Sequence, residues 1–224
     1  MKDLIEKVQN ILKENIIKYT LLKKSHHPLQ ANIYLFITSN KKYIVKDFSS
    51  SFLSRLAGKF LIKREVYFYE KLAGKEYILP LLGKNDYFFI IPFVKTINIK
   101  KLPEREIKKI KEKVLFFFDE LHQMGITNGD VRIKNFLYDG ENLFIIDWTT
   151  AIDWNIGVKK FFPFIKKLLI KQDIMRIHKT FSKFIKDHNV KFPLWYRCTK
   201  LIRKKLYKPI KKRFLKDERH RKNL

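Results

Sequence analysis

The chain has 224 residues and a formal net charge of +27, and 46% of its residues are hydrophobic. This length allows one compact or two-lobed domain with a substantial core, and it excludes large additional domains. The single cysteine, Cys198, excludes an internal disulfide and suits a reducing compartment. Charged residues interrupt the apolar residues at the N-terminus, so no signal peptide is predicted. The apolar runs are too short to predict a membrane-spanning helix.

The first half of the chain predicts a helix, a small antiparallel sheet and a second helix. Residues 3–20 have an amphipathic helical pattern, and residues 58–72 repeat their apolar positions at helical spacing. Short runs with strand character lie around and between these two segments. The predicted strands are, in chain order, residues 33–37, 42–48, 77–82 and 87–94.

Two charged residues in this half predict a buried ion pair. Lys46 ends an apolar strand, where a lysine is able to reach nucleotide phosphates. Glu65 lies in the second predicted helix, on a stripe whose other members are apolar: Leu61, Phe68 and Leu72. Burying a carboxylate alone costs several kcal/mol, so the pattern predicts contact with Lys46. The alternative is a solvated carboxylate, because a competing apolar stripe passes through Val66, Tyr69 and Ala73.

The second half begins with a long predicted helix and a predicted hairpin. Residues 103–125 have inward apolar positions at Ile107, Ile110, Val114, Phe117, Phe118 and Leu121. Residues 136–146 read as two short strands, and the turn residues between them place Tyr138 opposite Leu143. This register brings Asn135 and Asp147 to the open end of the hairpin, nearly opposite one another.

The polar residues around this hairpin have the chemistry of phosphoryl transfer. The oxygen atoms of Asn135 and Asp147 suit one Mg²⁺ ion, which prefers one or two protein ligands together with nucleotide phosphates. Asp130, in the loop before the hairpin, suits the role of a base that orients an attacking hydroxyl. The alternative is an ordinary acidic loop before a buried strand pair, because Asp and Asn at this spacing are also common by chance.

Positive charge is concentrated in the last third of the chain. Residues 159–224 contain 23 basic and 4 acidic residues, which predicts a polyanionic partner, either nucleic acid or an anionic membrane surface. Interleaved apolar residues favour the membrane, as in an interfacial basic helix. Phe161, Phe164, Ile165, Leu168 and Leu169 lie among Lys159, Lys160, Lys166, Lys167 and Lys171. The alternative is a core-facing helix with a lysine-rich solvent face.

These motifs give the chain a resemblance to a known family. It resembles the atypical small kinases of Gram-negative bacteria related to the lipopolysaccharide core kinases for heptose and Kdo, and more distantly the RIO-type and aminoglycoside-type phosphotransferases. The similarity extends from about residue 43 to residue 153. It is carried by the segments 45–49, 58–65, 121–125, 128–135 and 146–147.

The resemblance implies a protein-kinase-like two-lobed α+β fold. Residues 1–94 would form a small antiparallel β lobe, and residues 95–224 a mainly helical lobe with a basic helical tail. ATP and Mg²⁺ are the implied nucleotide and metal. The implied roles are phosphate binding for Lys46, pairing with that lysine for Glu65, catalysis for Asp130 and metal binding for Asn135 and Asp147. The segment Ile91, Pro92, Phe93 and Val94 looks like the hinge that contacts adenine.

The chain departs from the family pattern at three places. Asn128 takes the place of the usual histidine two residues before the catalytic aspartate, and Trp148-Thr149 replaces the common Phe-Gly. No glycine occurs before Gly58, so the usual glycine-rich phosphate loop is absent. A catalytically inactive member of the family is therefore an alternative.

The expected function is an ATP-dependent kinase that phosphorylates a sugar hydroxyl of the lipopolysaccharide core or of another anionic glycolipid. The expected location is cytoplasmic and peripheral, on the inner face of the inner membrane. One alternative is a RIO-like protein Ser/Thr kinase, and another is an inactive basic pseudokinase that binds RNA or anionic lipid. The sequence does not predict an oligomeric state.

Overall fold

The computed structural model describes residues 2–25, 30–49 and 52–185. Within them the chain has a mixed α+β architecture with one five-stranded antiparallel sheet, two short ribbons and four α-helices. The helices are α1 (Lys2–Leu12), α2 (Phe52–Lys71), α3 (Glu104–Gln123) and α4 (Pro163–Phe181). The predicted tail helix is therefore present at α4, whereas Cys198 and the basic clusters that follow it lie outside the described residues.

The five-stranded sheet has two faces with different neighbours. Its strands are β1 (Lys18–Lys23), β2 (Asn32–Ile37), β3 (Lys42–Asp47), β4 (Gly83–Lys84) and β5 (Phe88–Pro92), in the order β1-β2-β3-β5-β4. Side chains alternate between the faces. Phe36 and Val45 are buried against Val8 of α1, whereas Ile44 and Lys46 face the other side.

Two short ribbons lie beyond this sheet. β6 (Ile126–Thr127) pairs with β9 (Ile152–Asp153), and β7 (Phe136–Tyr138) pairs with β8 (Leu143–Ile145). The second ribbon is the predicted hairpin, and its register places Tyr138 opposite Leu143, as the turn chemistry predicted. The backbone N–H of Ile146 donates to the Asn135 carbonyl, which extends the ribbon to its polar end.

The N-terminal prediction was wrong beyond residue 12. The helix ends at Leu12, and Lys13 has a φ of 54°, a left-handed conformation that does not continue an α-helix. Residues 18–20, predicted as helix, belong to the edge strand β1. All six residues of β1 are exposed, so the strand lacks the apolar alternation by which strands are recognised in a sequence.

The predicted strand over residues 77–82 was also wrong. Tyr77, Ile78 and Leu79 are buried, but they lie in turns and irregular structure, and only Gly83–Lys84 pairs with β5. Tyr77 packs between elements that are far apart in the sequence. Its ring stacks on Phe117 of α3 at 4.4 Å between centroids, and its carbonyl accepts a hydrogen bond from the N–H of Ile145. Burial in the core produced the apolar run that was read as a strand.

The two long C-terminal helices build the core beneath the ribbons. All six predicted inward positions of α3 are buried. In α4 only the second half is buried, through Asp173, Ile177 and Phe181. In the part of the chain that the structure describes, we find no helix with the length and apolar character needed to cross a membrane.

The buried Tyr77 hydroxyl generates a stability prediction. This oxygen has no hydrogen-bond partner among the described residues. Tyr77→Phe keeps the ring stack and removes the unpaired hydroxyl, so we expect the free energy of unfolding in urea to be unchanged or up to about 1 kcal/mol higher. Tyr77→Ala removes the ring and should lower it by about 3–5 kcal/mol. A clear loss of stability in the Phe variant would contradict the packing described here.

Candidate active site

A cleft of about 410 Å³ lies between the open face of the five-stranded sheet and the polar end of the β7–β8 ribbon. Both walls contribute polar and apolar side chains. The sheet side and α2 supply Lys23, Gln30, Ala31, Ile33, Ile44, Lys46, Phe48, Glu65, Tyr69, Phe89 and Ile91. The ribbon side supplies Asp130, Arg132, Lys134, Asn135, Ile146, Asp147 and Thr149. The predicted catalytic and metal-binding residues are therefore together in one cleft.

Lys46 and Glu65 form a bidentate ion pair at the back of this cleft. The Lys46 Nζ lies 2.8 Å and 2.7 Å from the two Glu65 carboxylate oxygens. It also lies 3.3 Å from Asp147 Oδ1. The Glu65 side chain is only 1% exposed, so the solvated alternative is wrong. Phe68 and Leu72 of one stripe and Val66 and Tyr69 of the other are buried, whereas Ala73 is exposed. The carboxylate lies among these apolar side chains because the lysine is its partner.

The electrostatics of the pair keep the lysine charged. Burial acts to lower the pKa of Lys46, but the Glu65 and Asp147 carboxylates outweigh it and raise that pKa above its ordinary value. Burial raises the pKa of Glu65, and Lys46 opposes this only in part. The ammonium group is therefore a permanent positive charge at neutral pH, positioned by two carboxylates at the wall of the cleft.

Asp147 is held in a strained backbone conformation. Its φ is 69°, a left-handed value that costs a non-glycine residue of order 1–3 kcal/mol. Its Oδ1 accepts hydrogen bonds from Lys46 and from the Thr149 hydroxyl at 2.9 Å. Burial acts to raise the pKa of Asp147, but Lys46 and Thr149 outweigh it and lower that pKa. The carboxylate is therefore ionised and aimed by its neighbours.

Asp130 and Asn135 are linked directly. The Asn135 amide nitrogen donates to the Asp130 carbonyl at 2.9 Å and to its carboxylate at 3.3 Å. The other Asp130 oxygen lies 2.6 Å from the Arg132 Nε. The Asp130 N–H donates to the Asn128 side-chain oxygen at 3.0 Å, so Asn128 shapes the loop that carries Asp130.

A buried carboxylate from α4 anchors this loop. Asp173 is 1% exposed, and its two oxygens accept the backbone N–H groups of Asn128 at 2.8 Å and Gly129 at 3.0 Å. The His122 Nε2 lies 3.5 Å from the same carboxylate. Gly129 has a φ of 74°, and a Cβ there would lie 3.2 Å from the Thr150 carbonyl oxygen. The loop therefore requires glycine at this position, next to Asp130.

The donor set fits a Mg²⁺ ion shared with nucleotide phosphates. The Asn135 amide nitrogen is engaged with Asp130, which leaves its side-chain oxygen as the atom suited to a metal. Asp147 Oδ1 binds Lys46 and Thr149, and Oδ2 of the same carboxylate remains as a second hard oxygen ligand. The described residues contain no group of three or more His, Cys, Asp or Glu side chains that would hold a metal by themselves. One or two protein oxygens with several other ligands is the usual mode for Mg²⁺.

The structure places one residue of the predicted hinge in the lining of the cleft. Of the four predicted adenine contacts, Ile91 lines the cleft, whereas Pro92, Phe93 and Val94 are not part of its lining. Pro92 is the last residue of β5, paired with Tyr43, and the Phe93 N–H donates to the Lys42 carbonyl at 3.0 Å. The strand ends at Pro92 and the Phe93 N–H is engaged one residue beyond it, which removes this N–H as a free donor to a ligand.

Several cleft residues were missed in the sequence. Ile33 and Ile44 face the cleft because strand alternation places them on the same side as Lys46, a signal that the sequence contains. Arg132 and Lys134 follow Asp130 at two and four residues, and both line the cleft. Asp173 shares a four-residue helical spacing with Ile177 and Phe181, so the argument applied to Glu65 would also have identified it as a buried carboxylate.

Comparison with known proteins identifies the fold. No protein-family model matches the chain. Among solved structures, the chain is similar to the Rio2 kinase of Chaetomium thermophilum in its ADP/Mg²⁺-phosphoaspartate complex, with a TM-score of 0.62 and 12% sequence identity. The match covers 89% of this chain and 65% of that kinase, so the chain spans less than two thirds of its length. The described residues therefore have a protein-kinase-like fold, as predicted.

The Asp173 anchor generates a second prediction. Asp173→Asn removes the charge from an acceptor of two buried N–H groups and should lower the free energy of unfolding by about 1.5–3 kcal/mol. The amides of Asn128 and Gly129 should also exchange with deuterium faster. Asp119→Asn is the matched control, because this exposed carboxylate of α3 binds Gln123 and should change stability by less than about 0.5 kcal/mol. Unchanged exchange at both amides would contradict the anchoring role.

Proposed function

We propose that the protein is an ATP-dependent phosphotransferase that transfers a γ-phosphoryl group to an alcohol hydroxyl. One observation carries the proposal. The buried Lys46–Glu65 pair holds a permanent positive charge 3.3 Å from Asp147, in the same cleft as Asp130 and Asn135. Packing alone does not require Asp147, Lys46 and Asp130 to line an open cleft. Phosphoryl transfer uses a metal-binding carboxylate, a charged lysine and an oriented loop carboxylate together.

The sheet side of the cleft suits the nucleotide. Ile33, Ile44 and Ile91 offer apolar surface for an adenine ring, and Lys46 offers its ammonium group to the phosphates. Lys23 and Gln30 lie at the two ends of the β1–β2 connection, so they are the residues of this chain that would meet phosphates where other kinases use a glycine-rich loop. Residues 26–29 of that connection lie outside the described part of the chain.

The ribbon side suits the reaction centre. Asp130 is positioned by Asn128, Asn135 and Arg132 to accept a hydrogen bond from a substrate hydroxyl and to orient it for in-line attack. Asn135 and Asp147 would hold Mg²⁺, which when bound offsets the charge of the phosphate oxygens. Lys46 and Arg132 add fixed positive charge on either side of the transferred group, where charge accumulates in the transition state.

The proposed acceptor is a sugar hydroxyl of the lipopolysaccharide core or of another anionic glycolipid, at the cytoplasmic face of the inner membrane. Support comes from the motif resemblance described above and from the basic side chains of Arg132 and Lys134 next to Asp130, which suit an anionic acceptor. A protein Ser/Thr kinase is the second candidate, because the fold is similar to that of the Rio2 kinase. We also propose a lobe boundary near residue 94, where β5 has ended and α3 has not begun.

The destination of the phosphoryl group tests this function. Purified protein is incubated with γ-labelled ATP and Mg²⁺, and the lipid, protein and RNA fractions are separated. We expect label in the glycolipid fraction. Asp130→Asn should keep nucleotide binding but lower turnover by about 10²–10⁴-fold, whereas Asp147→Asn should lose the metal-dependent part of nucleotide binding. Label in protein Ser or Thr would favour the second candidate, and wild-type turnover in either variant would contradict the assigned roles.

The Lys46–Glu65 pair generates a separate prediction. Lys46→Met and Glu65→Gln should each lower activity and stability, because the first leaves Glu65 buried without its partner and the second leaves Lys46 with Asp147 alone. The double variant should lose less than the sum, with a coupling free energy above about 1 kcal/mol in urea unfolding. The control cycle uses Lys84 and Glu70, an exposed ion pair that also involves α2, for which we expect a coupling of about 0–1 kcal/mol. Strict additivity at Lys46 and Glu65 would count against the pair.

A further inference from the structure

The residues just before α4 and in its first turns expose an unusual amount of apolar surface. Val158 is 72% exposed, Phe161 70% and Phe164 77%. Four more large apolar side chains in the same stretch are exposed as well. We call residues 156–168 the apolar-basic surface, and its apolar members are Ile156, Val158, Phe161, Phe162, Phe164, Ile165 and Leu168. Soluble monomers seldom expose a contiguous apolar patch of this kind unless it binds something.

The surface is not the solvent side of an ordinary core helix. In α4 the core contacts lie in the second half, where Asp173, Ile177 and Phe181 are buried. The first half turns Phe164, Ile165 and Leu168 outward. A helix that only packs on a core buries its apolar residues and exposes its polar ones. Here the first half of α4 exposes both, which is the composition of an interfacial segment.

Lysines are interleaved with these apolar side chains. Lys159, Lys160, Lys167 and Lys171 are exposed, and Lys166 is partly exposed. The Lys160 Nζ lies 5.1 Å from the Phe161 ring centroid, so charge and aromatic surface are presented together. The described residues from 156 to 168 include no acidic side chain. The partner of this surface must therefore offer negative charge and an apolar interior at once.

We propose that the apolar-basic surface docks the protein on an anionic lipid bilayer, with its aromatic and aliphatic side chains at the level of the acyl boundary and its lysines at the headgroups. A bilayer of anionic lipid is the partner that satisfies both requirements. The phenylalanines have no polar group to keep in water, and the long lysine stems reach headgroups from beside them.

Three other occupants fit less well. A second copy of the chain carries the same net charge of +27 and is repelled. Residues 186–224 contain 15 basic and 3 acidic residues, so they share the sign of the surface. Nucleic acid would pair with the lysines and stack on the phenylalanines, but it would leave the aliphatic side chains of Ile156, Val158 and Leu168 against a polar backbone.

Docking at this surface would fix the orientation of the cleft. Asp153, just before the surface, accepts hydrogen bonds from Tyr67 and Lys71 of α2 at 2.5 Å each. Asp173, just after it, binds the catalytic loop at Asn128 and Gly129. The surface therefore lies between two attachments to the active-site elements. If the proposed function is correct, this places the reaction centre beside a lipid-borne acceptor, although bilayer binding itself does not depend on turnover.

Vesicle co-sedimentation of the full chain, without nucleotide, tests the proposal. Vesicles of phosphatidylcholine alone are compared with vesicles that contain about one quarter phosphatidylglycerol, at low and high salt. We expect binding to the anionic vesicles that falls as salt rises. Lys160→Gln with Lys167→Gln should weaken it by about 30-fold, since each lysine near the headgroups contributes about fivefold. Lys101→Gln with Lys109→Gln removes the same charge elsewhere and should have a much smaller effect.

A second set of substitutions tests the apolar side chains of this surface. Phe161→Ala with Phe164→Ala should weaken binding at least tenfold, while Phe116→Ala, at an exposed phenylalanine of α3, should leave it unchanged. Because these side chains are exposed, the fold should tolerate their removal. A Phe164→Trp variant should show fluorescence quenching by brominated acyl chains, which locates this position at the acyl boundary.

Three results would overturn the proposal. The first is equal binding to neutral and anionic vesicles, and the second is displacement of the protein from vesicles by a small excess of RNA. The third is wild-type binding by the lysine and phenylalanine variants, because residues 186–224 would then carry the affinity. Turnover on a soluble sugar acceptor is measured in parallel and should be the same in these variants as in the wild type. Vesicle binding without any turnover would contradict the proposed function and leave the docking surface intact.

Discussion

The burial of Glu65 is the constraint on which the site depends. A carboxylate that is 1% exposed would be strongly destabilising alone, and its bidentate contact with Lys46 is what makes its burial tolerable. The lysine is in turn drawn to Asp147, so one chain of charges connects α2, β3 and the end of the β7–β8 ribbon. Replacing a buried ion pair by apolar residues of similar volume is often neutral or stabilising, so packing alone does not require these charges.

A second set of contacts holds α2 in the position that this pair requires. Arg64 donates from Nε and from a terminal guanidinium nitrogen to the Ala151 carbonyl, at 2.9 Å and 2.6 Å. One turn further along, Tyr67 and Lys71 bind the buried Asp153. The helix α2 is therefore tied to two residues that follow Asp147, to the carbonyl of Ala151 and to the carboxylate of Asp153. Movement of this helix would break the Lys46–Glu65 contact and release the segment that follows Asp147 at the same time.

Local signals were enough to predict much of the site but less of its surroundings. The hairpin register was predicted from four turn residues, which are a local signal. The Lys46–Glu65 contact was predicted from a charge on an apolar stripe, because burying an unpaired carboxylate costs several kcal/mol. The errors have the opposite character. Residues 77–82 are buried by long-range packing, which produces the same apolar run as a strand. The edge strand β1 has no buried face, so its sequence shows no apolar alternation. Whether the Phe93 N–H is engaged depends on where the pairing of β3 and β5 ends, and the side chains of these strands do not indicate that position.

The acidic and basic side chains of the described residues lie in different environments. Four acidic side chains, Glu65, Asp147, Asp153 and Asp173, are buried or partly buried. Each of them binds a cation or a backbone N–H group. Many lysines of the described residues are exposed, where charge costs little in water. The buried carboxylates position Lys46 and the loop before the hairpin, and the exposed cations make the surface positive. Each of these carboxylates has a cation or an N–H group at hydrogen-bond distance, and its attraction to that near partner exceeds the effect of the more distant surface charges.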